Sequence, residues 1–160
     1  MINLFKREKD QWIFIYSPIM GKKMDITEVP DEVFSQKMVG DGVAIDPSEG
    51  RVTSPVEGEV IQIMDTKHAI VLKASNGIEM LIHIGIDTVK MKGEGFEVYT
   101  SPGDQVKVGD LLMTFELEKV REGAKSLVTP IVITNMEEIT DLVKSMDEKD
   151  QWIMKAKIER

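Results

Sequence analysis

The chain contains no cysteine. Disulfides, thiolate zinc sites and thiol nucleophiles are therefore excluded. Long apolar runs are missing too, and none approaches the roughly 18 residues of a membrane span. The opening stretch "MINLFKREKD" lacks the apolar core of a signal peptide. Its apolar face is too short for firm membrane-surface binding. A cytoplasmic location is expected, with residues 1–10 as a flexible tail before a single domain over 11–160. Positive charge is in deficit, with 20 Lys and Arg against 28 Asp and Glu, a net −8. No basic patch interleaved with aromatics occurs, so nucleic acid is not an expected partner. The acidic balance suits a basic protein partner instead. Histidine is rarest among the residues that matter here: only His68 and His83 occur.

What is present is 42% apolar and 30% charged residues, the profile of an ordinary globular protein. Short alternating runs are separated by Gly, Pro, Asp and Asn turns. They include "WIFIYSP", "GVAIDPS", "GRVTSPV", "GEVIQIM", "HAIVLKAS", "IEMLIHIG", "FEVYT", "LLMTFE", "TPIVITN" and "WIMKAKI". Turn signals every eight to twelve residues (~10) argue for an all-β sandwich or barrel. Ser-Pro opens "SPIMGKKMDI", "SPVEGEVIQI" and "SPGDQVKVGDLL", each a turn leading into a strand. Helix is expected only in short pieces. "DEVFSQKM" gives one or two turns with Asp31 as a first-turn acid. "ELEKVREGAKS" gives a short helix ended by Gly123. "NMEEITDLVKSM" reads as a short helix with an Asn cap.

The two histidines fall on neighbouring strands. Asn76-Gly77 lies between "HAIVLKAS" and "IEMLIHIG" and is a strong hairpin signal. A two-residue turn pairs Leu72 with Leu81 and Ile70 with His83. His68 then shares a face with His83, as its diagonal neighbour. Three readings are open. Both rings can be satisfied structural histidines. They can be metal ligands with Asp87, although a hydrolytic zinc site needs three protein ligands and a water. Or mutual repulsion and burial hold both neutral, which leaves a lone pair for nucleophilic work. Thr66, two residues before His68, can hold one ring nitrogen and set the tautomer. Gly85 reads as a bend or bulge. Lys90 and Lys92 lack the flanking pattern of a carrier lysine.

At these residues the chain resembles the glucose-family enzyme IIA domain of the bacterial phosphoenolpyruvate-dependent sugar phosphotransferase system. The matching stretches are "VPDEVFSQKMVGDGVAI" (29–45), "SPVEGEV" (54–60), "TKHAIVL" (66–72), "NGIEMLIHIGIDTVKMKGEGF" (76–96), "GDQVKVGDLL" (103–112) and "TPIVITNM" (129–136). The resemblance implies a β-sandwich-like barrel of the duplicated hybrid type. It implies that His83 accepts a phosphoryl group from the histidine-containing phosphocarrier HPr and passes it to a IIB domain of a sugar permease. It implies that His68 stabilises the phosphoryl oxygens, that Thr66 orients His68, and that Asp31 and Asp87 flank the site toward HPr. The implied docking patch is Val33, Phe34, Met38, Val39, Met64, Val71 and Leu81; Phe34, which follows charged Asp31-Glu32 in a turn, is expected to be its exposed anchor. Enteric relatives carry more phenylalanines there, which implies altered affinity for secondary partners. Regulated permeases or kinases are further implied partners, and the chain is expected to be a monomer. No cofactor or metal is required, with His68 and His83 at most incidental zinc ligands.

Overall fold

The computed structural model describes residues 12–158. The expected tail over 1–10 lies outside the described residues. Within them, strand alternation builds three antiparallel sheets. The largest has seven strands in the order β2 (Gly21–Asp25), β3 (Asp41–Pro47), β11 (Thr129–Ile133), β7 (Glu79–His83), β6 (Ala69–Ala74), β5 (Gly58–Ile63) and β9 (Gln105–Val106). Two three-stranded sheets complete the set. One is β1 (Ile13–Tyr16), β13 (Trp152–Ile158) and β12 (Ile139–Lys144); the other is β4 (Arg51–Thr53), β10 (Leu111–Phe115) and β8 (Phe96–Val98). The sheets stay open, so the fold is an all-β sandwich rather than a closed barrel.

The seven-stranded sheet is apolar on both faces, and successive residues of its central strands divide between two clusters. Val43 and Ile45 of β3, Met80 and Ile82 of β7, and Ile131 and Ile133 of β11 join the main core. Ala44 and Val132 point the other way, into a smaller cluster with Ile26, Val29, Phe34, Ile86 and Val128. Leu81 packs against that second cluster. Period-two alternation therefore puts His83 on the second face, at the end of β7. A one-turn helix, α1 (Glu32–Ser35), is seated on the same cluster through Phe34. Asp31 caps it, accepting from the Val33 N–H at 2.8 Å. A second helix, α2 (Leu117–Gly123), ends at the expected glycine.

Two local expectations fail. "NMEEITDLVKSM" is not a helix but a 3-10 turn over Met136–Glu138 followed by β12. Its Ile139, Leu142 and Val143 pair along β13, across a register shift after Ile139, and that pairing outweighs the two first-turn glutamates. Asn135 caps nothing with its side chain. It is buried and bolts the β6–β7 loop instead, taking the Glu79 N–H at 2.9 Å and donating to the Gly77 carbonyl at 2.9 Å.

The β6–β7 hairpin also differs from expectation. Its ladder pairs Ala69 with His83, Val71 with Leu81 and Leu72 with Met80, one residue away from the two-residue-turn register. The loop is Ser75-Asn76-Gly77, closed by Gly77 N–H to Ala74 O and Ala74 N–H to Ile78 O, both 2.8 Å. Only Gly77 takes a positive φ, +103°. Asn76 keeps an ordinary conformation because its side-chain oxygen accepts from Ile78 N–H at 3.3 Å. An Asx-type turn of this kind removes the demand for two left-handed residues.

Candidate functional site

The corrected register places Val71, Leu81 and His83 on one half-buried face, with Ala69 directly opposite His83. By alternation alone His68 would belong to the opposite, core face with Ile70. It does not follow the alternation, because it lies in a bend just before β6 where Lys67 is left-handed, φ +60°. The bend delivers the His68 ring to His83. Their centroids are 4.9 Å apart, edge to face, with planes at 79°. The backbone remains stitched by Ile84 N–H to His68 O at 2.7 Å. The two rings thus meet, although not through the expected diagonal pairing.

Each ring is held by one nitrogen. Thr66 Oγ1 lies 2.5 Å from His68 Nδ1. His83 Nδ1 lies 2.8 Å from the Gly85 carbonyl oxygen. A carbonyl only accepts, so His83 Nδ1 carries the proton and Nε2 keeps the lone pair in the neutral ring. Sequence reading took Gly85 as a bend; that its carbonyl fixes the His83 tautomer is visible only in the folded chain.

Both rings are held neutral. Burial, and then the neighbouring His83 charge, push His68 down to about 4. His68 is 7% exposed. Burial also lowers His83, while the bond to Gly85 and the Asp31 charge pull it partly back. The site therefore offers an uncharged imidazole nitrogen at neutral pH, beside a second imidazole able to donate.

Other expected residues are distributed unevenly. Asp31, at the start of α1, is close enough for its charge to act on His83. Asp87 is exposed and left-handed, φ +63°, opening a 3-10 turn over Thr88–Met91. Val33, Met38 and Val39 are exposed, Met38 at 70%. Met64, Val71 and Leu81 are half-buried. Phe34 is not an exposed anchor. It is 5% exposed, and its ring packs 5.0 Å from the His83 ring. Placement on the second apolar cluster turns it inward, so the outward position on α1 falls to Val33. Among the described residues no group of three or more His, Asp or Glu stands where it could hold a metal ion. None of the described helices is long and apolar enough to cross a membrane.

Comparison with known proteins places the chain in a family. Residues 13–139 match the family model for the phosphoenolpyruvate-dependent sugar phosphotransferase system, EIIA 1. A Bacillus cereus protein named PTS system glucose-specific EIIA component is 59% identical over 132 residues, 82% of this chain and 78% of its own length. A Staphylococcus aureus protein of the same name is 50% identical over 136 residues, covering 85% of this chain and 82% of its own. The solved structure of glucose permease IIA from Mycoplasma capricolum superposes with a TM-score of 0.81 at 32% identity, covering 94% of this chain and 92% of that one. The chain belongs to the EIIA 1 family of the phosphoenolpyruvate-dependent sugar phosphotransferase system, and its work is phosphoryl transfer within that system.

Proposed function

We propose that His83 accepts a phosphoryl group from phosphorylated HPr and hands it to the IIB domain of a sugar permease. The observation that supports this reading is the ring pair with both Nδ1 atoms tied to protein oxygens. His83 Nε2 attacks phosphorus, the bond from phosphorus to the HPr histidine breaks, and the new bond forms at Nε2. With Thr66 donating to His68 Nδ1, the His68 proton sits on Nε2 and points to the phosphoryl oxygens. That donor strengthens as charge develops on them. Phosphoryl transfer asks mainly for placement and charge stabilisation, which two fixed imidazoles supply. The group then leaves to a cysteine thiolate of the IIB domain, restoring neutral His83.

The relatives' glucose-specific names favour a glucose-type permease as recipient. Val33, Met38, Val39, Met64, Val71 and Leu81 supply the apolar docking patch around the rings, with Asp31 and Asp87 toward basic residues of HPr. The protein acts as a cytoplasmic monomer of one domain. Charge gained on phosphorylation beside this patch also suits a switch that selects among regulated permeases or kinases. Any zinc held by His68 and His83 would be incidental and would need a carboxylate from a partner.

Incubation with phosphoenolpyruvate, enzyme I and HPr tests the assignment. One acid-labile, base-stable label per chain is expected, lost in His83→Gln and kept in His68→Gln. Label that persists without His83 overturns it.

A further inference from the structure

The Gly85 carbonyl can fix His83 only if the carbonyl itself is fixed. Gly85 stands at φ +69°, outside any strand, two residues past the end of β7. Two buried hydroxyls close on the peptide before it. Thr88 Oγ1 donates to the Ile84 carbonyl at 2.6 Å. The Gly85 N–H of that same peptide donates to Thr129 Oγ1 at 3.2 Å. A backbone N–H only donates, and the Thr129 hydroxyl proton goes in turn to the Leu127 carbonyl at 3.0 Å. Both threonines are 0% exposed. The following peptide is held too, with Ile86 N–H on Ser126 O at 2.9 Å.

Threonine is an unusual choice for two fully buried positions unless the hydroxyls have partners, and here each hydroxyl has a partner on the Ile84–Gly85 peptide. We infer that Thr88 and Thr129 form a two-ended clamp on the Ile84–Gly85 peptide, and that this clamp, acting across Gly85 with the Ser126 bond on the next peptide, aims the Gly85 carbonyl at His83 Nδ1. They are positioning residues. They touch neither the reacting nitrogen nor phosphorus, and they act through Gly85 on the tautomer and aim of His83. The role deepens the acceptor reading of His83 and rests on it for its effect on transfer.

The test uses the full chain with Thr129→Val, Thr88→Val and the conservative Thr129→Ser. Side-chain nitrogen NMR at neutral pH needs no phosphoryl donor. In the unmutated protein it should show His83 as one tautomer with the proton on Nδ1. In Thr129→Val both tautomers should appear, and Thr129→Ser should restore the single form. Acceptance from phospho-HPr should slow about tenfold or more in Thr129→Val, with KM within roughly twofold of the unmutated value. A Thr129→Val protein that keeps one tautomer and the full rate overturns the clamp. If the valine variants do not fold, the unmutated protein decides. Slowly exchanging, observable Thr88 and Thr129 hydroxyl protons are expected, and rapid exchange overturns the clamp. Failure of labelling at His83 would sink the acceptor reading while leaving the tautomer result to stand or fall alone.

Discussion

His68 and His83 touch edge to face at 4.9 Å although the ladder pairs His83 with Ala69. The contact depends on a bend at Thr66–His68 that takes His68 out of the strand alternation. A pair made this way is held by side-chain bonds as much as by the sheet, which makes its chemistry sensitive to single substitutions.

The first consequence concerns acid. The His68 pKa is depressed to about 4 in the fold, against about 6.5 for a free imidazole. Its contribution to stability is therefore complete above about pH 6.5. Below that the unfolded chain takes a proton that the folded ring refuses, and stability falls until about pH 4. The loss from this ring is about 2 kcal/mol at pH 5. Denaturant titrations at pH 7.5 and pH 5 measure it, with His68→Gln as the comparison. The variant should show a shallower acid loss; equal slopes in both proteins reject the assignment of the loss to His68.

Thr66 should govern how His68 serves the phosphoryl group. Thr66→Val removes the oxygen 2.5 Å from Nδ1 and frees the ring to take either tautomer. Onward transfer to a IIB domain should slow about tenfold, within the usual range for a lost positioning hydrogen bond. Thr66→Ser should recover most of the rate. Stopped transfer assays with prelabelled protein separate this step from acceptance. A valine variant as fast as the unmutated chain leaves Thr66 without this role.

Gly85 tolerates no side chain. A Cβ built there comes within 2.8 Å of Thr88 Cγ2 and 2.9 Å of Ser126 O, on a residue at φ +69°. Left-handed backbone alone costs a non-glycine residue about 1–2 kcal/mol, and a close backbone oxygen adds to it. Gly85→Ala should lower the melting temperature and abolish rapid phosphoryl acceptance together, since the carbonyl moves with the chain. Calorimetry beside the labelling assay checks both, and an alanine variant that melts and transfers normally contradicts the packing described.

Much of this was readable from residues because strand alternation is a local property. All ten of the alternating runs became strands, and β2 and β9 follow Ser-Pro turns as the repeated wording implied. The failures share a cause. Asn135, Glu137 and Glu138 spell a helix start, but partnering with β13 is a long-range fact that spelling does not contain. Asn76-Gly77 signals a hairpin without fixing loop length, and one residue of loop length decides every pair in the ladder. The contact of the two histidines was expected for a reason that the register refutes, and it survives because Lys67 bends the chain. Phe34 follows two acidic residues and so looked exposed. The second apolar cluster that claims it includes nearby Ile26, Val29 and Ala44, but its other half, Ile86, Val128 and Val132, is remote in sequence.

That burial separates Phe34 from its neighbours in a measurable way. Phe34→Ala empties a site packed against His83 and should cost about 3–5 kcal/mol of stability. Met38, 70% exposed, should lose less than about 0.5 kcal/mol on truncation to alanine. Their effects on partner binding should run the other way. Met38→Ala and Val33→Ala remove exposed apolar surface from the proposed docking patch, so they should weaken HPr association with little change in melting. Equilibrium denaturation and HPr titration on the same preparations make the comparison. A stable Phe34→Ala protein with weakened HPr binding would return Phe34 to the docking surface.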